Sequence, residues 1–300
     1  MMITNNIKED IENAAEWFKK NLEILPLDKI AKQEEGVVSY SLWEAEHKSS
    51  NLIVLIHGTG AHKKWWYPIA PSLRKNSNVI ALDLPGMGDS DHRESYTMSN
   101  FGDAITDIIE KEKSNLNVEK ILIVGHSLGG HLAGYVSTVK KELIQGLIII
   151  DTFIKPPDYD YEKAGNSGPL RMIKYYPDKL SILNRFRLMP KQECNNNWYL
   201  RYIAEHSIKE DAKGWRWKFD DGLFHRIQKL WGFEFSFDCP TLFLYGSESL
   251  LIRGEILKHI SKTYGDKMHL REIKDAGHHV PLDQPLELIG IINKHMLEVE

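Results

Sequence analysis

The stretch Ile121-Leu122-Ile123-Val124-Gly125-His126-Ser127-Leu128-Gly129-Gly130 decides how the chain is read. Four aliphatic residues run into a G-x-S-x-G pentapeptide, and His131, Leu132, Ala133, Gly134, Tyr135 and Val136 continue as the start of a helix. The order strand, sharp turn, helix strains the backbone of the central serine and stands its hydroxyl above the sheet edge. Gly125 and Gly129 flank the turn where a Cβ would collide with the neighbouring strand or helix. The turn also sets backbone N–H groups at a helix N-terminus beside the hydroxyl, where they can hold developing negative charge. A tight strand-to-helix turn in any α/β protein can carry the same five residues. The aliphatic strand before it and the helix after it favour Ser127 as a nucleophile.

Upstream, Asn51-Leu52-Ile53-Val54-Leu55-Ile56 is an apolar run suited to a strand buried on both faces. It ends in His57-Gly58-Thr59-Gly60. The Thr59 N–H is placed to be one oxyanion donor and the Leu128 N–H the other. The plainer alternative is a loop that merely needs glycine. Val37 to Trp43 alternates as a strand, and residues 6–24 carry Ile7, Ile11, Ala14, Ala15, Phe18 and Leu22 at helical spacing. Ala61 to Leu73 holds the Trp65-Trp66 pair and a short helix. Val79 to Leu84 is the next strand and runs into Pro85-Gly86-Met87-Gly88-Asp89-Ser90. Downstream, Leu147 to Ile150 is a strand ending at Asp151, and Thr241 to Gly246 and Met268 to Ile273 close the series. Strands alternating with helices predict a doubly wound parallel sheet.

Residues 152–238 break that rhythm. Pro156-Pro157, Tyr159 and Tyr161 open a stretch that reads as short helices, with no strong strand pattern before Thr241. It is rich in aromatics: Tyr175, Tyr176, Phe186, Trp198, Tyr199, Tyr202, Trp215, Trp217, Phe219, Phe224 and Trp231. Each of these, taken singly, is better explained by packing onto the body than by contact with a substrate.

Composition bounds the partners. Apolar residues make up 42% and charged residues 27%, as in a soluble globular chain. A net charge of −4 gives no reason to expect nucleic acid or an anionic membrane. No run approaches the ~20 apolar residues of a membrane span, and the N-terminus, with Lys8, Glu9, Asp10 and Glu12, shows no secretory signal. A cytoplasmic protein is expected, either monomer or homodimer. Cys194 and Cys239 are the only cysteines, which suggests no disulfide framework. No spacing of His, Cys, Asp and Glu suggests a metal, and no cofactor is expected.

The blocks H-G-T-G, D-L-P-G-M-G-D-S, G-H-S-L-G-G and D-A-G-H-H-V-P-L-D-Q-P, in this order, resemble the α/β-hydrolase superfamily over residues 36–298, a variable middle segment excepted. The resemblance implies an eight-stranded, mostly parallel sheet with helices on both faces. It also implies a Ser–acid–His triad in that chain order and a helical lid inserted after the sixth strand. The chain then divides into a first core segment (1–151), the lid (152–238) and a second core segment (239–300). The glycine–histidine match makes His278 the base, with His279 the neighbour most easily confused with it. His57 would brace the oxyanion loop, and His126 is the variable residue of the turn.

The third triad member departs from the commonest pattern. The family usually places the acid three residues after the glycine ending the seventh strand, and here that residue is Ser249. Two carboxylates are open: Asp151, at the end of the sixth strand where some members carry the acid, and Glu248, one residue from the usual place. The plainer readings are a structural aspartate and a solvated loop charge. The balance leans to Asp151. A triad of this kind implies hydrolysis of a small-molecule carboxylic ester, thioester or lactone with a hydrophobic or aromatic part, through an acyl-enzyme. A carbon–carbon bond hydrolase of a diketone-like substrate and a non-enzymatic ligand-binding protein are the alternatives on the same scaffold.

Overall fold

Strand β3 (Asn51–Ile56) shows why the inner strands read as unbroken apolar runs. Leu52, Val54 and Ile56 enter one apolar cluster and Ile53 and Leu55 another, on opposite faces of the sheet. The computed structural model describes residues 12–156, 174–228 and 233–299. Within them lie β1 (Leu27–Gln33), β2 (Gly36–Trp43), β3, β4 (Asn78–Leu82), β5 (Lys120–His126), β6 (Gly146–Ile150), β9 (Thr241–Gly246) and β10 (His269–Ile273). They form one eight-stranded sheet in the order β1-β2-β4-β3-β5-β6-β9-β10. β1 and β2 pair antiparallel, as do β2 and β4, and every pairing from β4 through β10 is parallel.

One face is covered by α2 (Met98–Leu116), α3 (Leu128–Val139) and α7 (Gly254–Tyr264), through Phe101, Ile105, Leu132, Val136 and Ile260. The other is covered by α9 (Pro285–Glu298), through Leu288, Ile291, Ile292 and Met296. Helix α1 (Glu16–Glu23) buries Phe18. It is the described part of the helix expected over residues 6–24; residues 6–11 lie outside the described residues. Between Ala61 and Leu73, where a short helix is expected, stand two short 3-10 helices, Lys63–Trp65 and Ala70–Leu73.

The segment between β6 and β9 carries α4 (Lys179–Leu183), α5 (Asn197–His206) and α6 (Leu223–Arg226). It also carries a hairpin, β7 (Ile208–Asp211) against β8 (Gly214–Trp217). The hairpin corrects the purely helical reading of this stretch. Gly214, at φ 118°, supplies the positive-φ residue that the tight reversal needs. Pro157, Tyr159, Tyr161 and Trp231 lie outside the described residues.

Some aromatics of this segment pack onto the body and others within the segment: Tyr176, Trp215 and Trp217 lie against its own buried Ile182, Leu183, Ala204 and Ile208, and Phe224 is exposed. Trp198 and Tyr199 lie 4.5 and 5.3 Å, ring centre to ring centre, from Phe18 of α1. Tyr199 donates its hydroxyl hydrogen to the Trp65 carbonyl at 2.6 Å.

Candidate active site

The parallel pairing of β3, β5 and β6 brings three loop-bearing strand ends together, and the site is built there. After β5 the chain turns at Ser127, with φ 55° and ψ −118°. Such a conformation costs a non-glycine residue of order 1–3 kcal/mol and persists only when its surroundings over-determine it. Here they do. The Ser127 N–H donates to Ile150 O at 2.9 Å, and its carbonyl accepts from Gly130 N, His131 N and Thr152 Oγ1 at 3.0, 3.1 and 2.9 Å. The flanking glycines are required by contact. A Cβ on Gly125 would stand 2.2 Å from Gly129 O, and one on Gly129 would stand 2.4 Å from Ile56 O. The Ser127 side chain itself is half-buried.

The loop after β3 abuts this turn: a Cβ on Gly58 would lie 3.1 Å from Ser127 Cβ. His57 fixes the loop. Its Nδ1–H donates to Gly58 O at 2.7 Å while its Nε2 accepts the Leu84 N–H at 3.0 Å. Burial holds the His57 pKa below its ordinary value, which suits this neutral tautomer. The Leu128 N–H is the first of α3 and has no intrahelical acceptor. Among the described residues, neither it nor the Thr59 N–H donates one of the loop or turn hydrogen bonds.

The turn Pro85 to Ser90 is anchored by buried Asp83. Its carboxylate accepts Lys63 N and Asp89 N at 2.6 and 3.0 Å and pairs with the buried Lys63 ammonium at 3.2 Å. This holds Met87 in the core, where its sulfur accepts the Gly60 N–H at 3.2 Å.

His278 follows β10 and is buried, with its Nδ1 2.7 Å from Asp151 Oδ1. Asp151 is fully buried at the end of β6, with φ 45°. Gly246 N–H donates to its Oδ2 at 2.9 Å, and Ser249 Oγ–H to its Oδ1 at 2.8 Å. Of the two carboxylates left open by the sequence, Asp151 is the one in contact with the His278 imidazole. Glu248 is exposed, and its backbone N–H donates to Ala276 O at 2.9 Å.

His126 does more than fill a variable position. Its buried ring donates from Nε2 to the His278 carbonyl at 2.9 Å, and burial pulls its pKa down to about 3. Nothing local in the sequence signals this bond, because the partner is a main-chain carbonyl from the far end of the chain.

Two further residues hold the histidine loop, Gln192 from the segment between β6 and β9 and Asp283 from α8 (Val280–Asp283), just past the loop. Gln192 accepts the His279 N–H at 3.0 Å and donates to Asp283 at 2.7 Å, and Asp283 in turn accepts the Gly277 N–H at 2.8 Å. Burial raises the Asp283 pKa to about 6. Among the described residues, no helix is long and apolar enough to cross a membrane.

The chain is similar to known proteins. The sn-1-specific diacylglycerol lipase ABHD11 of Danio rerio is 23% identical over 266 residues, covering 85% of this chain and 81% of the relative. The esterase Rv0045c of Mycobacterium tuberculosis is 21% identical over 275 residues, covering 89% of each. Among solved structures, a thioesterase domain from the curacin biosynthetic pathway superposes with a TM-score of 0.72 at 22% identity, over 89% of this chain and 99% of that one. The sequence profile of the alpha/beta hydrolase family matches residues 53–290, and the chain belongs to that family.

Proposed function

We propose that this protein hydrolyses small-molecule carboxylic esters, with Ser127 as nucleophile, His278 as general base and acid, and Asp151 as the carboxylate that orients it. The observation that carries the reading is the 2.7 Å contact between Asp151 Oδ1 and His278 Nδ1, in a chain whose Ser127 is locked on a positive-φ turn.

A serine hydroxyl is a poor nucleophile at neutral pH and needs a base. With Nδ1–H committed to Asp151, His278 presents the lone pair of Nε2. That nitrogen takes the Ser127 proton as Oγ attacks the ester carbonyl. Asp151 fixes the tautomer and stabilises the imidazolium that forms. The oxyanion of the tetrahedral intermediate faces the Thr59 and Leu128 N–H groups, and losing one such donor typically costs ~10²–10³ in rate. His278 then returns the proton to the leaving alcohol. Water repeats the sequence on the acyl-enzyme, giving the acid and free Ser127.

The segment between β6 and β9 serves as the lid that shapes the pocket. Its Phe219 approaches the oxyanion loop: a Cβ on Gly60 would lie 3.9 Å from Phe219 Cδ1. An aromatic wall at that point favours a hydrophobic group on the ester. The ester class is also supported by the names of the two sequence relatives, a diacylglycerol lipase and an esterase.

The test is hydrolysis of p-nitrophenyl esters from C2 to C12 by the wild type and by Ser127→Ala in parallel. Turnover that disappears with Ser127 is the expected result, with the chain-length profile sizing the pocket. A folded protein that turns over no ester and fails to label with a fluorophosphonate overturns the reading in favour of ligand binding.

A further inference from the structure

Three imidazoles, one from the end of β5 and two from the loop after β10, meet beside this site. One ring nitrogen from each of His126, His278 and His279 lies within 4.8 Å of the other two, and all three residues are buried. His279 takes no part in the chemistry derived above. Both of its ring nitrogens are buried without a hydrogen-bond partner among the described residues. The Met189 and Pro190 carbonyls lie near the ring, but not in hydrogen-bonding geometry. Buried polar groups in folded proteins are nearly always satisfied, and this imidazole makes no well-formed hydrogen bond within the described residues.

We infer that His126, His278 and His279 form a latent site for a divalent transition metal of the zinc type, and that its occupation switches off the serine chemistry.

The hydrogen bonds behind the rings have the pattern found around bound zinc, where a ligating histidine gives its other N–H to a carboxylate or a backbone carbonyl. His278 gives Nδ1–H to Asp151, leaving the Nε2 lone pair. His126 gives Nε2–H to the His278 carbonyl, leaving the Nδ1 lone pair. His279 has the Met189 and Pro190 carbonyls beside its ring, where one N–H can turn to a carbonyl and leave the lone pair of the other nitrogen.

Three imidazoles with an open fourth position are a ligand set that zinc accepts. Imidazole also suits copper and nickel, whereas calcium and magnesium want oxygen. A triangle of nitrogens at most 4.8 Å on a side has its centre no more than about 2.8 Å from each corner, against 2.0–2.1 Å for a Zn–N bond. Each ring closes a difference of at most about 0.8 Å at its tip. Ser127 or a water supplies the fourth ligand. The metal then holds the same Nε2 lone pair that accepts the Ser127 proton, so the two uses of His278 exclude one another.

The experiment is a titration of chelator-treated full-length protein with CoCl2, followed by displacement with ZnCl2. Wild type is expected to develop the intense visible absorption of four-coordinate cobalt, saturating at one equivalent and bleached by zinc. His279→Ala and the polar His279→Asn are expected to weaken the site at least tenfold. No absorption, or absorption unchanged in both variants, overturns the site. In parallel, saturating zinc should abolish wild-type ester turnover, EDTA should restore it, and His279→Asn should keep its turnover in zinc. Zinc bound with turnover intact overturns the switch. The cobalt signal is read even if no ester is cleaved, so this inference and the ester reading fail separately.

Discussion

Ser249 Oγ donates to Asp151 Oδ1 at 2.8 Å, on the same oxygen that lies 2.7 Å from His278 Nδ1. Ser249 Oγ itself accepts the Leu251 and Ile252 N–H groups at 3.2 and 3.1 Å, which leaves its own hydrogen for the carboxylate. The loop after β9, where the family usually carries the acid, thus supplies a hydroxyl to a carboxylate at the end of β6. Two donors besides the imidazole hold Asp151 in place, Ser249 on one oxygen and the Gly246 N–H on the other.

If Asp151 orients His278, Asp151→Asn should lower kcat by ~10⁴, the usual cost of presenting the wrong tautomer to a serine. Exposed Glu248 should tolerate Gln with turnover within about twofold, as is usual for a surface change away from the chemistry. Ester turnover and the rate of fluorophosphonate labelling both read this. Comparable losses in the two variants would remove Asp151 from the role.

The closeness of Ser249 to the Asp151 oxygen that faces His278 makes a second-site rescue possible. In Asp151→Asn, adding Ser249→Asp places a carboxylate at the family's usual position, beside the oxygen that faces His278. Turnover is expected to recover at least tenfold over the single variant. Ser249→Ala alone removes one charge-assisted hydrogen bond, of about 1.5–3 kcal/mol. It should lower kcat while leaving KM unchanged, and Ser249→Thr should restore it. A double variant no better than Asp151→Asn would show that a carboxylate from β9 does not reach the imidazole.

The inner strands and both glycine-rich turns were legible because burial on two faces demands unbroken apolar runs such as Leu52 to Ile56 and Leu147 to Ile150. Edge strand β1 was not legible. Its sequence Leu-Asp-Lys-Ile-Ala-Lys-Gln has no period of two, and Leu27 and Ile30 are both 53% exposed. The hairpin of β7 and β8 was missed although Gly214, Trp215 and Trp217 mark it. Asp151 could not be separated from Glu248 by sequence. That choice depends on the register of β6 against β9, with Ile150 opposite Leu244, and hence on a contact across 127 residues. The meeting of His126 with His278 and His279 is equally non-local.

Acid should destabilise this fold. Burial is the first cause holding His57, His62, His126, His206 and His279 below the ordinary 6.5, with His126 at about 3 and His206 at about 4. These groups stay neutral when folded and take up protons when unfolded. Their contribution is therefore complete above about pH 6.5 and is lost as the pH falls, by up to ~1.4 kcal/mol per pH unit for each. Asp283, raised to about 6, acts in the opposite sense between about pH 4 and 6, because its ionisation is what the fold resists. The net expectation is a Tm that falls from pH 7 to pH 5. His62 donates from Nε2 to Ser207 Oγ at 3.0 Å, so His62→Gln keeps a donor but cannot titrate, and its Tm should fall less steeply. A parallel decline in both proteins would remove His62 from the account.

Two glycine substitutions should move stability in opposite directions. A Cβ at Gly125 meets Gly129 O at 2.2 Å and Gly130 N at 2.6 Å, both main-chain atoms of the turn that holds Ser127. Neither can swing aside as a side chain would. Gly125→Ala must therefore push α3 off the sheet, at the upper end of the 1–3 kcal/mol typical of overpacking or beyond it. Gly290 is exposed within α9, and a Cβ there meets nothing within 4 Å. Gly290→Ala removes backbone freedom from the unfolded chain at no steric cost and should stabilise by ~0.5–1 kcal/mol. Urea unfolding of the two variants, at constant m, measures both. A stable, active Gly125→Ala would mean that the turn after β5 is looser than these contacts require, and that its packing does not hold Ser127 in its strained conformation.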